Sequence, residues 1–498
     1  MKKAFLFIFS AIALLNLVSC YEDEGNYDYV DLQRFIVDTT GVNMSITVTQ
    51  FDQLSVPSRL VYDGNKGDLD YYWVAYKNET YGDNPSDTLA RTENLNEEIT
   101  LSPGSYLLEF LAVVKETGRR SSMQYNLTVE SAVGSGLLVF YKKNDVCDVD
   151  IVKTKTVVGS LTEDKLVRNI YSRIDDNVKL HGKPWLIACV GSDYIELLTD
   201  CDGTRVSPDD MGKMSDWSGM FWDTPTNCLP QGFFDAGWGS VALVNDGEVF
   251  YLNGGWAAGG PLYPGGKTMN NDTYYAAPWV IFAYGGEPFC YDMWHGRFLT
   301  CASWSSLFQP AGDEKLRDLK MEMYYMGKGY SGSTSAYYAF GVMKSLEDTS
   351  WHLYAVNANT NPSDCKLVAD FDMSQAPEFN NALYYDFSTV SPLFYYASAT
   401  SVYVCPFTLD NATAAIPSAP SWTCPAGEEI TYMKLFTQDG IGVEESLAYK
   451  LLMVATWNGS EGKVYLLKTD LATGVIDTTP IETFGGFGEV GSIAFKSN

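Results

Sequence analysis

Trp351-His352-Leu353-Tyr354-Ala355-Val356-Asn357 and Lys463-Val464-Tyr465-Leu466-Leu467-Lys468-Thr469 share one plan: an apolar strand that follows a polar turn and stops on Asn or Thr before the next turn. Each is preceded by another apolar strand, at 337–343 and 450–456 respectively. The same pairing recurs upstream, at 185–190 with 194–198, 240–244 with 248–252, and 393–397 with 401–405. Openings at 137–141 and 280–284 complete a set of seven. Successive openings lie roughly 40 to 60 residues apart, the length of a four-stranded propeller blade. No stretch beyond Gly136 carries the 3.6-residue period of an amphipathic helix. Residues 136–498 are therefore expected to form a β-propeller of seven blades, give or take one.

Upstream, residues 32–131 show a different spacing. Short strands are expected at Phe35-Ile36-Val37, 44–48 and 69–76, between Gly, Asn and Asp turns. Gly104-Ser105-Tyr106-Leu107-Leu108-Glu109-Phe110-Leu111-Ala112-Val113-Val114 turns at Glu116-Thr117-Gly118 and returns over 123–129. The two-residue period puts Tyr106, Leu108, Phe110 and Ala112 on one face. About seven strands in about 100 residues, with Trp73 as a core residue, predict a small Ig-like β-sandwich. The fold class is all-β, with a Gly-containing link at 131–135 between the two parts.

The N-terminus supplies an address. Met1-Lys2-Lys3 is basic, and the apolar run 4–15 is shorter than the ~20 residues of a permanent span. Leu17-Val18-Ser19-Cys20 has the lipobox pattern. Residues 1–19 are expected to be a lipoprotein signal peptide, Cys20 the lipidated (palmitate-bearing) residue, and 20–31 an acidic tether. The lipid is then the anchor to the outer membrane, because no second long apolar segment follows.

Glu22, Asp23 and Glu24 resemble the acidic export tag behind the lipidated cysteine in surface lipoproteins of Gram-negative gut anaerobes. With the Tyr71-Tyr72-Trp73 strand and the Gly104-Ser105-Tyr106 hairpin, the chain resembles the PKD-like lipoproteins of those organisms. It departs from the usual W-x-F-G-D-G segment, reading Trp73-Val74-Ala75-Tyr76-Lys77-Asn78. The resemblance implies an Ig-like sandwich and the cell-exterior face of the outer membrane, with the periplasmic face as alternative. It also implies a place beside an outer-membrane transporter.

Composition narrows the partners. The formal charge is −28, or −30 once Lys2 and Lys3 leave with the signal peptide, and no basic stripe offsets it, which argues against nucleic acid. Nine cysteines follow Cys20 without C-x-x-C spacing, so buried free thiols are expected, with Cys189–Cys201 or Cys290–Cys301 as possible hairpin disulfides. Gly486-Phe487-Gly488-Glu489-Val490-Gly491 and Gly327-Lys328-Gly329-Tyr330-Ser331-Gly332 fit G-x-G-x-x-G, but neither leads into a helix that could face a pyrophosphate. His181, His295 and His352 form no H-E-x-x-H, and no G-x-S-x-G elbow is present. Asp200-Cys201-Asp202-Gly203 with Asp209-Asp210 lacks the EF-hand register and is expected to be an exposed acidic turn. No metal or cofactor is expected.

Function is expected to lie between residues 217 and 264, where aromatics alternate with glycine. Trp217, Phe221, Trp222, Trp238, Trp256 and Tyr263 are the candidate ligand-binding residues, because flat rings on rigid loops suit sugar rings or peptide side chains. The leading expectation is a surface lipoprotein that binds a nutrient glycan or peptide for an uptake system. A hydrolase using two carboxylates in the propeller funnel is the alternative. A structural adhesin is a weaker one.

Overall fold

In a computed structural model, the described residues are 33–78, 85–174, 177–237, 239–254, 259–301, 307–333, 336–437 and 447–497. The expected signal peptide, Cys20 and the acidic tether lie outside them. The chain divides into two compact units, the first formed by residues 33–46, Gln53–Glu97 and Ser105–Thr128. Thr47–Asp52 and Glu98–Gly104 group with the second unit, which runs on from Val129.

The first unit is the Ig-like β-sandwich. Its five-stranded sheet runs in the order Ser45–Thr49, Arg120–Glu130, Gly104–Val114, Leu69–Lys77, Ser86–Ala90. Phe35–Val37 pairs with Leu60–Tyr62, and Gln53–Val56 with Leu95–Glu98. The period-two expectation is met: Tyr106, Leu108, Phe110 and Ala112 are all buried, while Leu107, Glu109 and Leu111 between them are not. Trp73 is 0% exposed, directly opposite Phe110 in the ladder, with ring centroids 4.9 Å apart.

The second unit is a β-propeller. Among the described residues it has seven antiparallel sheets of four strands, six of them built from strands consecutive in the chain, and one of these six gains a short fifth strand. Its core follows from side-chain alternation on strands covered on both faces. In Ser240–Asn245, Val241 and Leu243 pack towards the preceding sheet, whereas Ala242 and Val244 pack towards the following one. The same sorting gives seven apolar clusters, each drawn from two successive sheets. The last of them joins Leu451, Met453 and Leu466 to Leu137, Val139 and Ile493, and so closes the ring.

Closure is made by the last strand, Glu489–Lys496, which becomes the innermost strand of the first sheet by pairing Leu137 with Phe495 and Val139 with Ile493. Gly486–Gly491 of the G-x-G-x-x-G match therefore spans the step from the outermost strand Glu482–Phe487 to this closing strand. A Cβ at Gly488 would run into the Lys142 carbonyl, and one at Gly491 into the Pro184 carbonyl. Close backbone approach explains the glycines.

The quoted strands Trp351–Asn357 and Gly462–Lys468 occupy the same third position in their sheets. The openings at 240–244, 337–343, 393–397 and 450–456, however, are second strands. Their sheets begin one strand earlier, at Pro230–Gly237, Met321–Gly329, Tyr384–Phe387 and Glu429–Leu435. Innermost strands such as Pro230–Gly237 are only intermittently buried, so they lack a continuous apolar run.

No disulfide joins any of the nine cysteines among the described residues, which corrects the hairpin-disulfide option. Cys189 lies opposite Ile195 and Cys290 opposite Leu299, so neither faces its suggested partner across the ladder. Burial pushes the Cys147 and Cys301 thiols up to about 12, which keeps them protonated apolar fillers.

Candidate functional site

The third sheet of the propeller consists of Pro230–Gly237, Ser240–Asn245, Glu248–Leu252 and the short outermost Tyr263–Pro264. The chain entering it first forms a 3₁₀ turn, Trp217–Met220. Asp216 caps this turn by accepting from the Gly219 amide (3.2 Å) and the Ser218 hydroxyl (2.7 Å), which together hold its carboxyl below the usual range. The segment then lies along the outer strand. The Leu262 amide donates to the Met220 carbonyl (2.8 Å), and the Trp222 amide to the Leu262 carbonyl (2.9 Å).

This pairing sorts the candidate aromatics. Phe221 is 5% exposed and meets Trp217 and Phe250 at centroid distances of 4.6 and 5.0 Å. Trp217 lies over Gly203, where an added Cβ would approach its ring to 2.9 Å. Its indole nitrogen is buried without a hydrogen-bond partner. Phe221 is buried in the cluster between the second and third sheets, and half-buried Trp217 packs against that cluster, so both rings are engaged in packing between sheets. The physical reason is alternation: when Phe221 bridges to Leu262 its side chain faces inward, and the next side chain must face out. Trp222 is that next residue, 65% exposed and stacked on Tyr263 at 5.4 Å and 22°, with Tyr263 43% exposed. Trp238 and Trp256 lie outside the described residues.

A polar cleft of about 420 Å³ adjoins the stacked pair. Asp223, Thr224, Thr226 and Asn227 line one side, Asp246 and Glu248 the other, and Phe250 and Pro264 also contribute. The volume falls within the range of small-ligand sites. No lysine or arginine lines it among the described residues. Its walls are tied together: the Asn245 side chain donates to the Asn227 carbonyl (2.9 Å), and the Asn227 amide group donates to Asp246 Oδ2 (2.8 Å). Asp246 and Gly247 both have positive φ, at 48° and 74°, which gives the tight hairpin turn that carries Asp246.

The other Asp246 oxygen leads to a second aromatic pair, absent from the sequence-based candidates. The Tyr275 hydroxyl donates to Asp246 Oδ1 (3.3 Å), and the Tyr275 ring stacks with Trp294 at 5.5 Å and 29°. Trp294 is 62% exposed, on the turn between Pro288–Asp292 and Arg297–Cys301 of the fourth sheet. Buried Asp292 builds that turn. Its Oδ1 accepts from the Tyr275 and Trp294 amides (3.2 and 3.1 Å), and its Oδ2 engages His295 Nδ1 (2.7 Å) and Arg297 Nε (2.9 Å). The available signal was the Trp-His-Gly turn at 294–296, whose role depends on Tyr275, nineteen residues upstream of Trp294.

Other chemistry-bearing residues are placed apart. Asp200 and Asp202 sit on the turn before Gly203–Val206, whereas Asp209 and Asp210 follow that strand, so the two acidic pairs lie at opposite ends of it. His352 bonds Asp370 (2.8 Å) and Ser350 (2.8 Å), and the Asp370 bond raises its pKa above the ordinary imidazole value. On the innermost strands, burial raises the Asp235 carboxyl against the Gly237 amide. Burial likewise raises Asp386, opposed by Lys434 and by the Leu435 amide at 2.7 Å.

Residues 20–184 match the model of the PKD-like family. That segment covers the sandwich and extends into the first propeller sheet. No curated protein matches the chain. A quinonprotein alcohol dehydrogenase-like protein from Bacteroides thetaiotaomicron superposes with a TM-score of 0.52 at 12% identity, over 94% of this chain and 99% of that one. An auxiliary nutrient binding protein from the same organism aligns with a TM-score of 0.33 at 6% identity, over 82% of this chain and 92% of that one. The first likeness shows the two-part all-β fold and nothing about chemistry.

Proposed function

We propose that this protein is a lipid-anchored outer-membrane surface protein that binds a nutrient ligand, a glycan or a peptide, and hands it to an uptake system. The observation that carries the reading is the stacked, exposed Trp222–Tyr263 pair beside a polar cleft with no lysine or arginine among its described lining residues. Two large rings held flat at the surface by backbone hydrogen bonds leave apolar area in water, a pattern that marks binding sites. The anchor is supported by the Leu17-Val18-Ser19-Cys20 pattern.

The test uses protein lacking residues 1–20 on an array of glycans and peptides. Trp222→Ala is expected to weaken binding of the captured ligand by about 1–3 kcal/mol with little change in Tm. Trp217→Ala is expected to do the reverse, lowering stability by roughly 3–5 kcal/mol. Unchanged affinity in both Trp222→Ala and Tyr263→Ala would place the site elsewhere.

A further inference from the structure

The connection from one aromatic pair to the other sets the chemistry of what is bound. Trp222 and Trp294 are the two most exposed tryptophans among the described residues, at 65% and 62%. Each is backed by a tyrosine at a near-parallel angle, so each presents one free face. Asp223 and Pro264 follow Trp222 and Tyr263 directly into the cleft, and Asp246 on its far wall holds Tyr275 under Trp294. Stacking surface, polar cleft and second stacking surface are thus contiguous.

We propose that this run is one extended site for a neutral oligosaccharide, with Trp222–Tyr263 and Trp294–Tyr275 as two ring-stacking subsites; this deepens the binding function above and rests on it. The polar cleft side chains are three carboxylates, two hydroxyls and two amides, which accept from and donate to adjacent sugar hydroxyls. An anionic ligand would meet Asp223, Asp246 and Glu248 with no cation among the described lining residues. Arg297, the cation nearest the second pair along the chain, is already engaged by Asp292 and Asp272, at 2.9 Å each. Sugar rings satisfy both demands, because they combine apolar C–H faces with hydroxyl edges. The Asp246 bridge also fixes the second subsite relative to the cleft, so recognition should improve with chain length.

The experiment titrates the protein lacking residues 1–20 with neutral β-glucan, mannan, galactan and xylan oligosaccharides of two to eight rings, and with a lysine-rich peptide as the cationic probe. Affinity for one neutral series is expected to rise with length. Trp294→Ala should then lower affinity for the longest member at least tenfold and leave the shortest unchanged, while Trp222→Ala weakens both. Thermal unfolding of each variant checks that the fold is intact. If Trp294→Ala binds every length as the unaltered protein does while Trp222→Ala does not, the second subsite is wrong and the binding function stands. Capture of the lysine-rich peptide with no neutral glycan bound overturns the ligand class. Binding that is independent of both tryptophans overturns the site itself.

Discussion

Glu196 and Arg205 form a buried ion pair inside the second propeller sheet, with Arg205 Nε 3.0 Å from Glu196 Oε2. The ladder places them directly opposite each other. Arg205 also donates to the Gly260 carbonyl (2.8 Å) and lies 4.3 Å from the centroid of the Tyr194 ring. Burial raises the Glu196 carboxyl against the pull of Arg205, and Glu196 holds the guanidinium up against the lowering effect of burial. Removing Arg205 strands the buried Glu196 carboxylate, whose Oε1 already lacks a hydrogen-bond partner among the described residues. Arg205→Met should therefore destabilise by roughly 3–5 kcal/mol in urea unfolding. The double variant Glu196→Met/Arg205→Met should recover most of that loss. A single variant within about 0.5 kcal/mol of the parent would mean the pair is solvated. Both residues are plain in the sequence, but only the register reveals that they meet.

At the scale of elements, the ring depends on one strand. Glu489–Lys496 is joined to Gly136–Lys143 by a ladder interrupted by a bulge at Phe140/Tyr141. It also supplies Val490, Ile493 and Phe495 to the cluster between the seventh and first sheets. Without it, Gly136–Lys143 becomes an open, almost wholly buried apolar edge, the kind of edge that pairs with other chains. Deleting residues 489–498 is expected to abolish the single cooperative transition of the propeller and to produce aggregation on heating. A truncated protein that unfolds reversibly at an unchanged temperature would show that closure contributes little. The sequence signalled strands here, yet gave no sign that the last belongs with the first, because the pairing spans the whole length of the propeller.

At the scale of the whole molecule, the proposed function needs a place as well as a site. Cys20 follows an apolar run and an aliphatic-Val-Ser triplet, and an acidic segment follows it. A single acyl chain gives only marginal membrane binding, so stable anchoring of the proposed kind requires more than one chain on that cysteine. Cys20→Ala is expected to leave an unprocessed precursor that carries no acyl chain on residue 20. Mass spectrometry of the N-terminal peptide from native membranes checks this, and a free Cys20 thiol there would remove the anchor. Protease treatment of intact cells then separates the two faces, since only an exterior protein is cut.

The sequence by itself determined the class of each part. Period-two burial in Gly104–Val114, with Trp73 in the core, is a local property, and so are the continuous apolar runs of doubly covered strands such as Ser240–Asn245. The aromatic richness of 217–264 was equally legible. Which aromatics face water was not. Phe221 and Trp222 are neighbours of similar character, and a single bridge to Leu262 sends one into the core and the other to the surface. Trp294 enters the proposed site only through Asp246, on a different sheet, which accepts from the Tyr275 beneath it. Composition and spacing record how far a residue lies along the chain, whereas a binding face is fixed by register and by contacts between sheets, which only the folded propeller brings together.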